Sequence, residues 1–246
     1  NTVIELDDAV SELVINNLAP TSVSSVTIKT KPGEPFGNIY GRDFLRNERG
    51  ELLLNGQGLP QATPNEVLLG NAQPDWFGSI SNTFTYKGFS LSGLIEFSQG
   101  GEFYSETKAR LATNGNSKET LANRDELFIV GTLADNSANT TTTTAQKYYE
   151  QLDGLNIAAP FIEDASYIAL RELAIGYSLP KKILENTFLT SAKISAYGRN
   201  LGYLQRKATH IAPEAILFSP RSNDIGIEFL PLPLTRNVGL KLNVEF

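Results

Sequence analysis

Cysteine is absent from this 246-residue sequence, and histidine occurs only once, at His210. Without cysteine, the chain forms no disulfide and has no thiolate nucleophile or cysteine-ligated metal. A single histidine also argues against a multi-histidine metal site or a triad built on clustered histidines. The stretch Gly56–Gln61 lacks the glycine spacing and the lysine of a phosphate-binding loop. We therefore expect no enzyme activity and no bound cofactor or metal.

Positive charge and long apolar runs are also scarce. The sequence has 21 Lys and Arg against 27 Asp and Glu, a net charge of −6, which argues against a nucleic-acid partner. Unbroken apolar stretches are only a few residues long, so we expect no membrane-spanning helix. A membrane β-barrel is still compatible with this pattern, because its lipid-facing and lumen-facing residues alternate along each strand.

Alternation of apolar and polar residues is the strongest signal present, and it predicts long β-strands. The clearest runs cover residues 79–86, 89–98, 172–179, 193–199 and 237–246. Lys87-Gly88 separates the first two runs and has the length of a tight hairpin turn. Weaker strand candidates lie at about 1–8, 23–31 and 36–46, and Phe44–Asn55 is equally consistent with a small hairpin turning at 47–50.

The connections between the clear strands differ greatly in length. Those at 87–88 and 179–191 are short or moderate, whereas those at roughly 101–163 and 204–233 are long. In outer-membrane barrels short turns face the periplasm and long loops face outside. If the C-terminus is placed in the periplasm, the short and long connections fall on opposite sides. Residues 101–163 are then a long extracellular loop insert, with short helices predicted near 118–130 and 145–152.

Two architectures explain such strands. A soluble β-sandwich would bury one face of each sheet in a core and leave the other in water. A membrane barrel is favoured by strand length, because roughly 10–14 residues exceed the usual five or six of globular sheets and suffice for a tilted membrane strand. We therefore predict an all-β chain that forms an antiparallel transmembrane β-barrel segment. A soluble β-sandwich, carbohydrate-binding module is kept as the alternative.

Aromatic residues near the strand ends are predicted to form the girdles found at membrane interfaces. The candidates are Trp76, Tyr86, Phe89, Phe97, Tyr177, Tyr203 and Phe246. A second prediction concerns Phe246. An aromatic residue after an alternating strand resembles the C-terminal signal that the barrel-assembly machinery recognises in bacterial outer-membrane proteins, and we predict that role for Phe246.

Several stretches resemble the C-terminal part of SusC/RagA-like TonB-dependent outer-membrane transporters. They are Lys31–Gly41, Leu68–Tyr104, Asp164–Leu184, Ala192–Leu204 and Leu232–Phe246. The most specific pieces are Gly-Asn-x-x-Pro-Asp-Trp at Gly70–Trp76, Leu-Arg-Glu at Leu170–Glu172 and Gly-Arg-Asn-Leu at Gly198–Leu201. The stretches occur in the family's order, so the resemblance spans nearly the full length of the chain.

This resemblance implies a large barrel in the outer membrane of Bacteroidetes, with an N-terminal plug domain inside it. The implied function is nutrient uptake, the import of oligosaccharides (glycan import) or peptides driven through TonB. The implied partners are a SusD-like surface lipoprotein, TonB, the rest of the barrel and plug, and membrane lipid.

Neither a plug nor a TonB box is found in the sequence, and about eight candidate strands fall well short of the 22 of such barrels. We therefore expect residues 1–246 to be the C-terminal portion of one barrel domain, about its last eight strands. Its C-terminus would lie on the periplasmic side.

Two sets of residues are candidates for functional contacts. Those predicted to face the lumen are Glu172, Lys193, Arg199, Lys241, Asn243 and Glu245. They are expected to pair with one another or with the plug. In the insert, Tyr148 and Tyr149 are candidates for stacking on a ligand's sugar rings, although packing of the insert's own core explains them equally well.

Overall fold

The computed structural model describes residues 1–18, 25–121, 123–216 and 225–246. The chain divides into two compact units. Unit 1 comprises residues 1–73, 101–164 and 208–232, and unit 2 comprises residues 74–100, 165–207 and 233–246. Strands dominate and the helices are short, so the all-β prediction is confirmed. Among the residues described, no helix is both long and apolar enough to cross a membrane.

The strands are numbered in chain order. They are β1 (Leu13–Leu18), β2 (Val26–Thr30), β3 (Asn38–Gly41), β4 (Val67–Asn71), β5 (Trp76–Tyr86), β6 (Phe89–Gln99), β7 (Glu102–Ser105), β8 (Leu127–Phe128), β9 (Thr142–Thr143), β10 (Ile162–Asp164), β11 (Tyr167–Ser178), β12 (Ser191–Arg206), β13 (Ile227–Glu228) and β14 (Asn237–Glu245). The helices are α1 (Glu106–Thr113), α2 (Ala145–Gly154) and α3 (Lys181–Leu184).

Unit 2 contains one five-stranded antiparallel sheet in the order β14-β12-β11-β6-β5. All five strongly alternating runs of the sequence lie in this sheet. Its strands are 9 to 16 residues long, which is long for a globular sheet. Within the described residues, β5 and β14 are the two edges of an open sheet.

The hairpin between β5 and β6 turns in two residues, as predicted, because Tyr86 pairs with Phe89. Lys87 has φ 47° and Gly88 has φ 87°. Positive φ at both central positions is the signature of the type I′ turn, whose twist matches that of the two strands. A Cβ at Gly88 would also lie 3.0 Å from the carbonyl oxygen of Ser178, so glycine is needed for both backbone conformation and space.

The connections of this sheet alternate in length as the sequence indicates. β5 joins β6 through two residues, and β11 joins β12 through residues 179–190, which include α3. At the other end, residues 100–166 join β6 to β11, and residues 207–236 join β12 to β14. The short connections thus share one end of the sheet and the long connections share the other.

Unit 1 contains a four-stranded antiparallel sheet in the order β1-β2-β3-β4 and a three-stranded sheet in the order β10-β7-β13, in which β7 and β13 run parallel. Its core combines Val26, Ile28 and Ile39 from the first sheet with Tyr104, Phe161 and Ile227 from elsewhere in the unit. Seven of the core residues lie in the insert 101–163: Tyr104, Ala109, Ala112, Leu152, Ile157, Ala158 and Phe161. The long insert therefore contributes to a packed core of its own unit.

The helices of the insert agree only in part with prediction. The helix expected at 145–152 is present as α2, which begins after Thr144, whose hydroxyl accepts a hydrogen bond from the Lys147 N–H at 3.2 Å. The prediction of a helix near 118–130 is wrong for the residues described there, which form a 3-10 turn at Lys118–Thr120. α1, which is capped by the hydroxyl of Ser105, was not predicted.

The weak strand candidates of the N-terminal region had mixed outcomes. β2 and β3 lie inside the predicted ranges 23–31 and 36–46, although residues 23 and 24 lie outside the described residues. Residues 1–8 form only an isolated bridge between Thr2 and Pro35, and the strand of this region is β1 instead. Phe44–Asn55 adopts the small-hairpin alternative, with Arg46 bridged to Leu52 around the turn at 47–50.

Candidate functional site

One face of the unit 2 sheet is apolar across all five strands. The pairing registers bring Phe84, Leu91, Ile175, Ala196 and Leu240 into a single row that crosses the sheet. The large side chains of this row stay exposed, at 65% for Phe84, 56% for Ile175 and 79% for Leu240. An apolar surface as wide as five strands exceeds what a water-soluble domain usually exposes. This face therefore needs an apolar medium or partner.

Aromatic residues stand at both ends of the apolar face. At the short-turn end, Tyr86 pairs with Phe89, and the Phe89 and Tyr177 ring centres are 4.5 Å apart. At the other end, Trp76 and Phe97 meet edge to face, with ring centres 5.3 Å apart.

Phe89 and Phe97 are eight residues apart on β6, which is about 27 Å along a strand. A strand tilt of 35–45° shortens that to roughly 20 Å along the membrane normal, close to the apolar band of about 25 Å in outer-membrane barrels.

Two of the aromatic candidates have other surroundings. Phe246 stacks on Phe188 at the short-turn end, with ring centres 5.6 Å apart and planes within 1°. Tyr203 pairs with Ala169, and its ring lies edge to face on Tyr167. The register places Tyr203 on the face opposite to the apolar rows, so the structure separates it from the other girdle candidates.

The opposite face of the sheet carries the residues predicted to face the lumen. Glu172 pairs with Arg199, and the Arg199 Nε donates to a Glu172 carboxylate oxygen at 3.0 Å. Lys193 pairs with Asn243 on the neighbouring strand. Lys241 lies opposite Ser195, and Glu245 lies opposite Ser191. The structure thus gathers all six candidates on one polar face. Within the described part of the chain, Arg199 and Glu172 are the two of them that form an ion pair.

A second polar cluster, which the sequence pattern does not indicate, lies at the long-loop end of the same face. Glu96 accepts hydrogen bonds from the Tyr167 hydroxyl at 2.7 Å and from the Arg171 guanidinium at 2.7 Å and 3.1 Å. Strict alternation would put Arg171 on the apolar side with Leu173. A register shift between Leu170 and Glu172 inserts one extra residue, and this bulge brings Arg171 to Glu96.

In unit 1 the two tyrosine candidates have different environments. Both rings pack against the core, and they meet edge to face with centres 5.1 Å apart. Burial raises the pKa of Tyr148 to about 12, and burial also raises the pKa of Tyr149. Tyr149 also lines an open groove of about 470 Å³ together with Arg124, Asp125 and Glu150. Tyr148 is thus part of the packing, whereas Tyr149 has one side open to a groove.

His210 is partly buried between two hydroxyl groups. Its Nδ1 lies 2.7 Å from Thr209 Oγ1 and its Nε2 lies 3.4 Å from Ser117 Oγ. Thr209 in turn donates from its backbone N–H to Glu163 at 3.0 Å. These contacts join two segments of unit 1. Across the described part of the chain, no group of three or more acidic or histidine residues could hold a metal ion.

No protein-family model matches the chain. Among curated proteins, the chain is 25% identical over 271 residues to TonB-dependent receptor P3 of Formosa agariphila, a match that covers 100% of this chain and 26% of the receptor. It is 27% identical over 199 residues to TonB-dependent receptor P26 of the same organism, covering 78% of this chain and 19% of that receptor.

Comparison with solved structures shows a similarity of fold. The chain is similar to the RagAB peptide importer in the 'closed-closed' state, with a TM-score of 0.62 and 16% identity over 98% of this chain and 25% of that chain. The 'open-open' state matches with a TM-score of 0.62 and 15% identity, also over 98% of this chain and 25% of that chain. The chain spans about a quarter of the length of these structures.

An open antiparallel sheet with an apolar face, a polar face and aromatic ends is a segment of a transmembrane β-barrel wall, as the sequence predicts. The barrel is not closed by the described strands. The resemblance to the C-terminal part of SusC/RagA-like TonB-dependent transporters is confirmed by the two curated relatives and by the RagAB structures.

Proposed function

We propose that this chain is the C-terminal portion of a TonB-dependent outer-membrane transporter, which imports oligosaccharides or peptides together with a SusD-like surface lipoprotein. The observation that carries the proposal is the exposed apolar face of the unit 2 sheet, bounded by aromatic residues at both ends. A soluble protein would have to cover that face. A bilayer solvates it directly, because lipid-facing and lumen-facing residues alternate along barrel strands.

The choice of transport as the function is supported by the relatives. TonB-dependent receptors P3 and P26 match along most or all of the chain. The RagAB structures are of a peptide importer, and they support peptides as one of the two substrate classes and a lipoprotein of the SusD kind as the partner. The family resemblance supports oligosaccharides as the other class.

The topology of the sheet supports an orientation. Both short connections lie at the end of the sheet where β14 finishes, since Glu245 pairs with Ser191 directly after the 179–190 connection. Outer-membrane barrels keep short turns in the periplasm and long loops outside. We therefore assign the end of β14 to the periplasmic side and residues 100–166 and 207–236 to the extracellular side.

The same difference between short and long connections supports the assignment of the chain to one barrel domain. Residues 1–246 would belong to one barrel domain, with residues 101–163 as an extracellular loop insert. The plug would come from sequence that precedes them in the whole transporter. The soluble β-sandwich alternative is disfavoured because the side chains of the apolar rows stay exposed.

The first experiment is to extract the natural polypeptide from outer membranes in detergent and to measure its intact mass. We expect about four times the mass of this chain, because the chain covers 26% of TonB-dependent receptor P3. A native polypeptide of 26.9 kDa that stays soluble without detergent would contradict the proposal. Uptake of labelled peptides and oligosaccharides, compared in cells with and without TonB, then tests energy coupling and substrate class separately.

A further inference from the structure

A hollow on the polar face of the unit 2 sheet is lined by Ser90, Lys193, Ser195 and Lys241, together with the Glu172–Arg199 ion pair and Asn243. Gly176, in the middle of the sheet on β11, forms its floor. A Cβ at this position would lie 2.8 Å from each of three atoms, Ser90 Oγ, Ser195 Oγ and Lys193 Cε. The two hydroxyls and the lysine stem therefore converge over a backbone that carries no side chain. Glycine here leaves room for another group to approach.

The hollow has a net positive charge, because its lining contains Lys193, Arg199 and Lys241 against the one carboxylate of Glu172. Lys193 lies opposite Asn243, and Lys241 lies opposite Ser195, so the two lysines are diagonal neighbours on adjacent strands. Diagonal neighbours in an antiparallel pair are about 7–8 Å apart. Within the ranges that the structure describes, neither ammonium group forms an ion pair, and Arg199 on the same face is already paired with Glu172.

The donor set identifies the chemistry of the missing partner. Two ammonium groups and two hydroxyls can donate hydrogen bonds into this hollow. An ionised carboxylate is a suitable acceptor, because it offers about four lone-pair sites and no donor. Charge-assisted hydrogen bonds of this kind are stronger than neutral ones. Like charges on diagonal neighbours repel each other, so an anion bound near Lys193 and Lys241 relieves that repulsion.

We propose that Lys193, Lys241, Ser90 and Ser195 form a carboxylate-binding site in the barrel wall, with Gly176 as its floor. The proposal rests on the proposed function, which makes the polar face the barrel lumen. Two sources can present a carboxylate there. One is an acidic side chain of the plug in the whole transporter, and the other is an acidic group of the imported ligand.

The test is zero-length cross-linking of the full-length transporter in detergent. A water-soluble carbodiimide activates a carboxylate, which then forms an amide with a lysine amine in contact with it, and peptide mass mapping locates the amide. The reaction is run alone and again with a short peptide that contains two glutamates. The ion pair of Lys29 and Glu66, whose charged atoms are 3.4 Å apart, is the internal positive control.

We expect an amide at Lys193 or Lys241. If its partner is an acidic residue of the plug, the site belongs to plug docking; if its partner is the added peptide, the site binds ligand. The double variant Lys193→Gln/Lys241→Gln should lose the product, and Lys182→Gln, in the exposed 179–190 connection, should keep it. Gly176→Ala should lower the yield while both amines remain, because its methyl group occupies the hollow.

Absence of an amide at both lysines, with the Lys29–Glu66 product present, would overturn the proposal. Uptake is measured on the same preparations in cells. Normal TonB-dependent uptake without the amide would reject the carboxylate site alone. Absence of TonB dependence would reject the proposed function whatever the cross-linking result.

Discussion

At the scale of single residues, buried carboxylates connect separate segments of unit 1. Glu228 is fully buried and accepts from Ser105 Oγ at 2.6 Å, from the Thr107 N–H at 3.1 Å and from the Thr107 hydroxyl. Glu163 accepts from Lys108 Nζ at 2.6 Å. Both carboxylates bind the first turn of α1 or the residue before it. A negative charge is favourable at this position, because the helix N-terminus carries unpaired N–H groups and positive dipole charge.

The first prediction concerns Glu228. Glu228→Ala leaves the buried Ser105 hydroxyl and the half-buried donors of Thr107 without their acceptor, which costs about 1–3 kcal/mol. The amide hydrogens of α1 in the full transporter should then exchange about 5- to 150-fold faster, if exchange occurs through local opening. Hydrogen exchange with mass spectrometry checks this, with the exposed Glu48→Ala as control. Unchanged exchange in α1 would show that Glu228 does not stabilise the helix.

The second prediction concerns Tyr148, whose pKa burial raises to about 12 from the ordinary 10.0. Because its pKa is raised in the folded state, Tyr148 stays neutral to a higher pH in the folded protein than in the unfolded chain. The contribution of neutral Tyr148 to the free energy of unfolding is therefore fully present below pH 10. It is lost as the pH rises from 10 through 12, by about 1.4 kcal/mol per pH unit. Tyr148→Phe removes the titrating hydroxyl, so α2 should keep more of its exchange protection above pH 10.

The same position separates packing from ligand contact. Tyr148→Ala should destabilise the insert by about 2–4 kcal/mol, because it deletes a ring packed on the core, whereas Tyr148→Phe should be nearly neutral at pH 7. Uptake that falls in Tyr148→Ala, with exchange protection of α2 unchanged, would instead favour a direct ligand contact.

At the scale of secondary-structure elements, the β5–β6 hairpin depends on two positive φ angles. Gly88→Ala should destabilise the folded barrel by at least about 1 kcal/mol, from the left-handed backbone alone. Lys87→Asn should stabilise it, because Asn-Gly is preferred in type I′ turns. The measurement is the temperature at which the folded, faster-migrating gel band disappears. Opposite shifts are expected for the two variants, and a shared shift would argue against the type I′ explanation.

The two faces of β11 give a matched pair of substitutions. Leu173→Arg places a charge on the apolar face, at a cost of about 2–4 kcal/mol near the bilayer midplane. Ala174→Arg places the same charge one residue away on the polar face, where water or plug can solvate it. We expect the yield of heat-modifiable barrel to fall only for Leu173→Arg. Equal losses would show that the apolar face does not contact lipid.

At the scale of the whole molecule, the described sheet is open at β5 and β14 and exposes its apolar face. Such edges present unpaired N–H and C=O groups to other chains. We therefore expect residues 1–246, produced alone in water, to aggregate and to need detergent for dispersion. Light scattering and size-exclusion chromatography check this. A monodisperse species in water with a cooperative melt would contradict a barrel wall.

The sequence by itself determined the five long strands, their two faces and the tight turn between β5 and β6. Period-2 alternation reports which side of a strand a residue occupies, and it does so without knowledge of the partner strand. The turn is equally local, because two residues between alternating runs permit few backbone geometries. α2 was also predictable, although the 3-10 turn at Lys118–Thr120 shows that weak helical signals were not.

Only the tertiary structure decided what depends on pairing and packing. The bulge that turns Arg171 toward Glu96 exists because the partner strands fix the register on both sides of Leu170. The Tyr203 ring lies on Tyr167 because the pairing of β11 with β12 sets Tyr203 opposite Ala169. The packing of Tyr148 on the core and the hydrogen bonds from Ser105 and Thr107 to Glu228 join residues far apart in the chain. Such contacts depend on long-range packing, which the pattern of one segment does not encode.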